Sequence, residues 1–532
     1  MNLLGLRSAC WCIWITLIVV DLAPGASSSC RQIVRHITHY RGIRSQIRPD
    51  VSGIWTSSRC EARPGPKFLT RFVQIFSNQT WQADFHFYSD YQCTKPTFTL
   101  HVRGAYWLGN EAKDLKGATA AHFNFTTIHI HPHTQAEEVK IVTVMKKSCP
   151  DTLLNIKETP GIGVYSATNA AFSKRLCRTT FGISDYEFSV LKINTFKMLS
   201  SKSDLLYFGE IPTGKSRRRY SPTSYQLPLK RNNAPNCTIC MVISTASAGV
   251  APIIPKVRPR PVMLNDEWGS SSCETRPGGS FLTRYMAFQD SRSHWEGYYY
   301  YFLDPECRKL NFMIYFKGVF TSGSYNTKVR DGEDYVFTVT EAAITPHTKS
   351  FTRQLNYMSR NNECGKDGEW ENGQSQDITQ SKGCRLLGIS LPHTEYDLLK
   401  MVTNEDGERE LYVGQRPTDL SSLASPDKRP TSFQVPMLKC DAFRHEFVPP
   451  TTQPTTAPTT RFPKPPVINP ILAVPTLKRD GKKSPTEKDK TSKGTRGTTS
   501  NGDVLAARDE NAASSLRASI IVAAVLLLIT LL

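Results

Sequence analysis

The sequence predicts a mainly β protein of two duplicated antiparallel β-barrel-like domains, disulfide-bonded and followed by a disordered stalk and a membrane anchor. Three observations predict this architecture. The segment Trp55–Arg71 returns as Trp268–Arg284, 213 residues later, and so long a period indicates a duplicated domain rather than a solenoid. Apolar and polar residues alternate through both copies. Of the 14 cysteines, all but Cys10 and Cys12 follow the N-terminal leader, and their even number is typical of secreted, disulfide-bonded proteins.

The two ends of the chain predict secretion and tethering. Residues 1–26 are expected to form a signal peptide, because Arg7 is followed by the apolar run Ala9–Val20 and then by small residues. Residues 518–532 form an apolar tail, which we interpret as a glycolipid (GPI) anchor signal or a short single-pass type I anchor. The expected location is the extracellular face of the plasma membrane, reached through the secretory pathway.

Composition divides the remaining chain into two domains and two connecting segments. The first repeat domain is assigned to residues 30–247 and the second to residues 262–440. A Pro-rich linker, 248–261, joins them and is expected to be extended and fairly stiff. Residues 441–517 form a Thr/Pro- and Lys-rich stalk. This composition predicts disorder, because the stalk cannot bury enough apolar surface to fold.

The strands are predicted from a period of two. In residues 81–88 and 97–103 large apolar residues alternate with polar ones, as in antiparallel strands that are buried on one face. Residues 311–317 repeat the pattern in the second copy. Short helices are expected over 30–40 and 394–401. Both copies should form closed or nearly closed sheets, which leave no open edge.

Cysteines that match between the copies predict matching disulfides. The shared frame predicts the bridges Cys60–Cys93, Cys149–Cys177, Cys273–Cys307 and Cys364–Cys384. Four further cysteines remain, namely Cys30, Cys237, Cys240 and Cys440. An oxidising compartment argues against a redox or zinc role for the Cys-x-x-Cys spacing. We therefore expect Cys237 and Cys240 to bridge to Cys30 and Cys440, which would tie the second copy to the first, although sequence alone does not decide this pairing.

The formal net charge of +19 points to anionic partners at the cell surface. Secretion argues against nucleic acid, so sulfated glycans and anionic headgroups are the expected counterions. The first copy also contains all three N-glycosylation sequons, at Asn78, Asn124 and Asn236.

No sequence motif points to an enzyme. The chain lacks the nucleophile elbow, the zinc-protease helix motif and the phosphate-binding glycine loop, and we expect neither a cofactor nor a metal. The best metal candidate is the set His129, His131 and His133, because alternate strand residues face the same way. Pro132 interrupts that geometry and the second copy has no equivalent set, so we interpret these histidines as a solvated strand edge.

Several uncommon strings resemble one known family. The paired Arg-Pro-Gly…Phe-Leu-Thr-Arg segments and the strings at 391–396, 414–417 and 429–436 are similar to those of the adenomatosis polyposis coli down-regulated 1 family. The Cys-x-x-Cys pair at 237–240 resembles it too. The resemblance covers residues 30–440, and it is specific because these strings occur in the family's order and spacing.

The resemblance implies a cell-surface glycoprotein that inhibits Wnt signalling by binding Wnt ligands and lipoprotein-receptor-related co-receptors. It also implies a barrel with an apolar pocket for the acyl chain carried by Wnt. The candidate lining is the apolar strand face of copy one, comprising Trp81, Phe85, Phe87, Phe98, Leu100 and Val102. Copy one is the preferred location because the sequons and the His run lie there. The alternative function is an adhesion or matrix module that holds sulfated glycans on its basic surface. Whether the chain forms a homodimer is left open.

Overall fold

A computed structural model describes most of the duplicated region. The described residues are Cys30, Ile37, 45–148, 154–159, 162–168, 180–197, 202–214, 220–232, 237–256, 260–289, 293–359, 363–384, 387–405 and 407–440. The predicted signal peptide, stalk and C-terminal tail lie outside them, as do Cys149, Cys177, Asn236 and most of the predicted helix at 30–40.

Copy one contains twelve strands and two helices among its described residues. The strands are β1 Gly53–Thr56, β2 Glu61–Arg63, β3 Lys67–Ile75, β4 Thr80–Tyr88, β5 Pro96–Glu111, β6 Thr119–Phe123, β7 Thr127–Pro132, β8 Leu154–Thr159, β9 Ile162–Thr168, β10 Val190–Lys197, β11 Lys202–Phe208 and β12 Leu229–Arg231. The helices are α1 Gln135–Ser148 and α2 Thr238–Ser244. Eight strands close into a barrel, which we call barrel one, in the order β1-β3-β4-β5-β6-β10-β11-β12 and back to β1. Strands β7, β9 and β8 extend the sheet from β5.

Copy two closes in the same way. Its strands are β13 Glu267–Ser270, β14 Glu274–Arg276, β15 Ser280–Gln289, β16 His294–Phe302, β17 Leu310–Tyr325, β18 Glu333–Pro346, β19 Gln376–Asp377, β20 Gly383–Cys384, β21 Ile389–Ser390, β22 His393–Thr403, β23 Arg409–Val413 and β24 Met437–Lys439, with helix α3 Lys349–Met358. Barrel two has the order β13-β15-β16-β17-β18-β22-β23-β24 and returns to β13. Two closed eight-stranded antiparallel barrels confirm the predicted fold class.

A glycine in the longest strand of each barrel marks the same close backbone approach. A Cβ on Gly104 of β5 would lie 1.7 Å from the carbonyl oxygen of Asn124, and one on Gly318 of β17 would lie 2.0 Å from that of Thr338. Real Cβ atoms do not approach oxygen so closely, so only glycine fits. The ladder register shifts at this point in barrel two, between Lys317 and Gly318.

Residues 394–401, predicted as a helical turn, are instead part of strand β22. The prediction was wrong because burial along these residues follows the period of two of a strand and not the period of a helix. Glu395 and Asp397 share one strand face with Leu399 and Met401, and all four are buried inside barrel two. A strand therefore carries two carboxylates into a core.

Five disulfides join the described cysteines. The within-copy bridges Cys60–Cys93, Cys273–Cys307 and Cys364–Cys384 are those that the duplication predicts. The other two are Cys30–Cys440 and Cys237–Cys240. The expectation that Cys237 and Cys240 bridge to Cys30 and Cys440 is therefore wrong. Cys237 caps the N-terminus of α2, where the first helical turn brings Cys240 within 5.2 Å between Cα atoms.

The two barrels contact each other directly. Phe68 of barrel one packs against a buried cluster of barrel two that contains Tyr412 and Phe433. At the same contact the Arg59 guanidinium lies 2.9 Å from the Glu410 carboxylate. The described part of the linker also packs onto barrel one, because Ile254 is buried and the Tyr88 hydroxyl donates to the Pro252 carbonyl. The second copy still joins the first covalently, through Cys30–Cys440 rather than through the Cys-x-x-Cys pair.

Candidate functional site

All six predicted pocket residues belong to the interior of barrel one. Trp81, Phe85, Phe87, Leu100 and Val102 are each at most 5% exposed and belong to one apolar cluster, against which the half-buried Phe98 packs. The ladder explains this grouping, because directly opposed residues point to the same face of a sheet. Phe85 of β4 faces Leu100 of β5, and Phe87 faces Phe98.

Aromatic rings fill the middle of this interior. Trp81 meets Phe123, Phe125 and Phe188 with ring centroids 5.2–5.4 Å apart. Its indole nitrogen donates to the Asn124 carbonyl oxygen, so the ring is satisfied at its polar edge as well.

One end of the barrel one interior is less enclosed. There Phe87 and the half-buried Phe98 stack at 4.7 Å, and Phe181 packs edge-on against Phe98 at 6.2 Å. Phe98 is therefore the least buried of the six predicted pocket residues.

A charged layer that the sequence reasoning missed lies beside these rings. Arg71 alternates with Leu69 and Val73 along β3, so its side chain points inward and is 1% exposed. Its Nη2 lies 2.8 Å from Oε2 of Glu61. Interior charges are tolerated only when they are paired and hydrogen-bonded. The signal was present in the sequence, since Glu61 and Arg71 recur at equivalent positions in copy two.

Barrel two has the same plan with a more polar interior. The ladder places Trp295 opposite Gly318, as Trp81 stands opposite Gly104, so Phe85 and Phe87 correspond to Tyr299 and Tyr301. The remaining counterparts of the predicted pocket residues are Phe312, Ile314 and Phe316, and all three are buried. Barrel two therefore replaces two phenylalanines by tyrosines and Val102 by a phenylalanine.

The charged layer of barrel two is organised around Glu274. Its Oε1 lies 3.0 Å from Nε of Arg284, and its Oε2 lies 3.2 Å from Nε of Arg276. The Ser270 hydroxyl donates to the same carboxylate. Burial works to raise the pKa of the Glu274 carboxyl, but Arg284 and Arg276 outweigh burial and hold the pKa below its usual value.

The predicted His set lies on the outer side of β7 and its neighbours. His131 is buried, so the expected solvated edge is wrong; β7 pairs with β5 on one side and β9 on the other. The Thr99 hydroxyl lies 2.8 Å from Nδ1 of His86 and 2.8 Å from Nε2 of His133. Burial lowers the pKa of both imidazoles to about 4, with His131 adding to the effect.

Acidification should destabilise the fold through His86. Its folded-state pKa of about 4 lies below the unfolded value of 6.5, so the unfolded state binds more protons between these values. Stability is complete above pH 6.5, and about 2 kcal/mol is lost by pH 5 through this one group. Denaturant unfolding at pH 7 and pH 5 should show a smaller difference for His86→Asn than for the wild type. His122→Asn, at an exposed position, is the control, and an unchanged pH dependence in His86→Asn would contradict the assignment.

Metal-ligand geometry is met by one group among the described residues, Cys30, Glu267 and Cys440. The two sulfurs are joined in a disulfide, so they are not available as thiolate ligands. His129, His131 and His133 do not form such a group in the described region; the His129 and His131 ring centroids are 6.5 Å apart.

Two of the sequons fall on described residues. Asn78 lies in the exposed turn between β3 and β4, where its side chain accepts hydrogen bonds from Thr80. Asn124 is half-buried in the break between β6 and β7. Attachment of a glycan is therefore sterically simplest at Asn78.

An open cleft lies where the two copies meet. It has a volume of about 580 Å³ and is lined by Tyr91 of copy one and by Tyr325, Asn326, Thr327 and Arg330 of copy two. The cleft opens on the surface, so it is separate from the barrel interiors.

None of the helices in the described ranges is long and apolar enough to cross a membrane.

Fold and interior together define a class of protein. Two duplicated eight-stranded barrels with several disulfides describe a protein of the secretory or extracellular compartment. The chain belongs to the adenomatosis polyposis coli down-regulated 1 family, whose sequence model matches residues 29–255 and again residues 256–448. This is a signalling-related family and not a family of enzymes.

Proposed function

We propose that this protein is a cell-surface glycoprotein that negatively regulates Wnt signalling by binding. Its ligand is Wnt, whose acyl chain is taken up by the interior of barrel one, and binding of the lipoprotein-receptor-related co-receptor is a second route to the same inhibition. Membership in the family supports the pathway. The chain acts at the extracellular face of the plasma membrane, held there by its C-terminal tail.

The observation that carries this proposal is the contrast between the two interiors. Barrel one presents Phe85, Phe87 and Val102 where barrel two presents Tyr299, Tyr301 and Phe316. An acyl chain offers no hydrogen bonds, so it is better matched by phenyl rings than by phenols. Val102 is also smaller than its counterpart, which leaves barrel one the roomier site for a chain that displaces Phe98.

The energetics of acyl capture are favourable. Each buried methylene contributes about 0.8 kcal/mol, so a long acyl chain supplies most of the free energy of a tight complex. The chain enters where Phe98 is half-buried, by separating it from Phe87 and Phe181. The ion pair between Arg71 and Glu61 stays intact during this step, because it belongs to the wall and not to the opening.

Binding of acylated and unacylated Wnt to the full-length protein tests the proposal. We expect acylated Wnt to bind at least tenfold more tightly, since several methylenes are buried on binding. Val102→Phe introduces the residue of barrel two and should remove this preference and the inhibition of a Wnt reporter. Phe316→Val is the matched control in barrel two and should retain both. Equal binding of the two Wnt forms would exclude acyl capture.

The test also separates the rival functions. Inhibition that persists with unacylated Wnt and depends on the co-receptor would favour co-receptor binding. Heparin affinity that disappears when residues 478–496 are removed, together with no effect on a Wnt reporter, would favour the sulfated-glycan module instead. The formal net charge of +19 is the feature that such a module would use.

A further inference from the structure

Barrel two buries a third interior arginine that barrel one lacks. Leu191 pairs with Phe208 as Leu399 pairs with Val413, and the bridges Gly209–Tyr225 and Gly414–Phe433 confirm the alignment. On this register Ile211 of copy one corresponds to Arg416 of copy two, and Ser189 corresponds to Asp397. Arg416 is 1% exposed. The duplication has thus placed an additional guanidinium inside one barrel alone.

Arg416 pairs with Glu395, whose counterpart in barrel one, Glu187, pairs with Arg63 instead. There, Nη2 of Arg63 lies 2.8 Å from Oε2 of Glu187. The counterpart of Glu187 is Glu395, whose Oε2 lies 2.6 Å from Nη1 of Arg416. Arg276, the counterpart of Arg63, binds Glu274 through Nε alone. Its two terminal nitrogens are buried with no hydrogen-bond partner.

Several guanidinium nitrogens in the interior of barrel two lack a hydrogen-bond partner. The nitrogens without a hydrogen-bond partner are Nη1 and Nη2 of Arg276, Nη1 and Nη2 of Arg284, and Nε and Nη2 of Arg416. Nη2 of Arg416 lies 3.9 Å from Oδ2 of Asp397, an ion-pair distance beyond hydrogen-bond range. In the charged layer of barrel one, among the described residues, only Nε of Arg63 is buried without a partner. Buried donors without acceptors are costly, so an acceptor is expected here.

The three guanidiniums are close enough to repel one another. Burial, together with the neighbouring Arg284 and Arg416, lowers the pKa of Arg276 to about 10 against the pull of Glu274. The carboxylate oxygens already present are occupied or out of hydrogen-bond range, since Oδ2 of Asp397 lies 3.9 Å from Nη2 of Arg416. Glu274 receives Ser270 and two arginines, and Oδ1 of Asp397 receives two backbone amides. A negatively charged group with free oxygens would both satisfy the donors and relieve the repulsion.

We propose that barrel two binds a small oxyanion, a carboxylate or phosphate group, between Arg276, Arg284 and Arg416. Guanidinium forks are matched to such groups because two parallel N–H donors meet two oxygens. The tyrosines at 299 and 301 line the same interior, consistent with a polar rather than an apolar occupant. This site lies in barrel two and does not depend on acyl capture by barrel one.

Two sources supply this chemistry, and the experiment separates them. The full-length secreted protein is purified without phosphate or added lipid and then denatured, because a buried ligand exchanges slowly. Ion chromatography of the released fraction detects free inorganic phosphate, and mass spectrometry of the same fraction detects a small organic carboxylate. We expect one of these oxyanions in a constant ratio to protein.

The matched variant is the double substitution Asp397→Ser with Arg416→Ile, which installs the residues of barrel one. Glu395 can then pair with Arg276 as Glu187 pairs with Arg63, so the fold has a paired arrangement available. The variant should lose the oxyanion at least about tenfold, since two or more charge-assisted hydrogen bonds are removed. Lys317→Gln, at an exposed cation of barrel two, should retain it.

The melting temperature is a second measurement, which distinguishes loss of the oxyanion from misfolding of the double variant. Added phosphate or acetate should raise the melting temperature of the stripped wild type and leave that of the folded double variant unchanged. Equal anion content in the wild type and the double variant would overturn the proposal. So would a crystal structure of the wild type in which water alone bridges the three arginines.

Discussion

Glu274→Gln is expected to lower the free energy of unfolding by about 3–5 kcal/mol, because it leaves two buried guanidiniums without their carboxylate. Glu274 is the shared partner of Arg276 and Arg284, and glutamine keeps the shape while removing the charge. Denaturant unfolding of the full-length protein, followed by tryptophan fluorescence, measures the loss. Trp268 and Trp295 are buried in barrel two and report on its unfolding.

The control for this prediction is an ion pair on the surface of the same barrel. Lys317 and Glu341 are 3.1 Å apart, and the Glu341 side chain is 51% exposed. Glu341→Gln should cost less than about 1 kcal/mol, as exposed pairs contribute little. If both substitutions have the same small effect, the charges around Glu274 are hydrated and not buried.

Trp81→Ala should destabilise barrel one by about 3–5 kcal/mol, the range for deleting a fully buried aromatic side chain. Three phenylalanine rings lose their contact with the indole, and the Asn124 carbonyl loses its donor. The loss should appear as a lower midpoint in denaturant unfolding. Inhibition of a Wnt reporter should fall with it, since the ring belongs to the proposed acyl-binding interior.

Trp107→Ala is the matched control, because this tryptophan is 50% exposed on the same barrel and stacks on His122. Its removal should cost less than about 1 kcal/mol, since surface substitutions away from core features are nearly neutral. A Trp81→Ala protein that unfolds at the wild-type midpoint would show that the barrel one interior is not packed as described.

Much of the fold could be predicted from the sequence because several strands in both copies alternate apolar and polar residues. Trp81, Phe85 and Phe87 fall on one face of a strand by period alone, and the closed barrel places that face inside. The disulfide Cys60–Cys93 followed from its repeat, Cys273–Cys307. The duplication helped most, because the two copies could be compared as two sequences of one fold.

The charged interior could not be predicted by the same rule. A rule that assigns charged residues to the solvent side would expose Glu395 and Asp397, whereas both are buried in β22. Their burial depends on Arg416, a partner that follows another strand and is brought near only when the barrel closes. Local periodicity contains no information about such long-range pairing. The recurrence of Glu61 and Arg71 at equivalent positions in copy two was the available clue.

The Cys30–Cys440 bridge makes the duplicated region a covalent ring, closed at its first and last described residues. A protease that cuts after the exposed Lys256, between the copies, would open the ring without separating the barrels. The two fragments would migrate as one species on a gel until the sample is reduced. In the nicked form the disulfide would still tether the two barrels, so their effective concentration would stay high. Their contact would therefore persist after a cut that separates the domains of an ordinary two-domain chain.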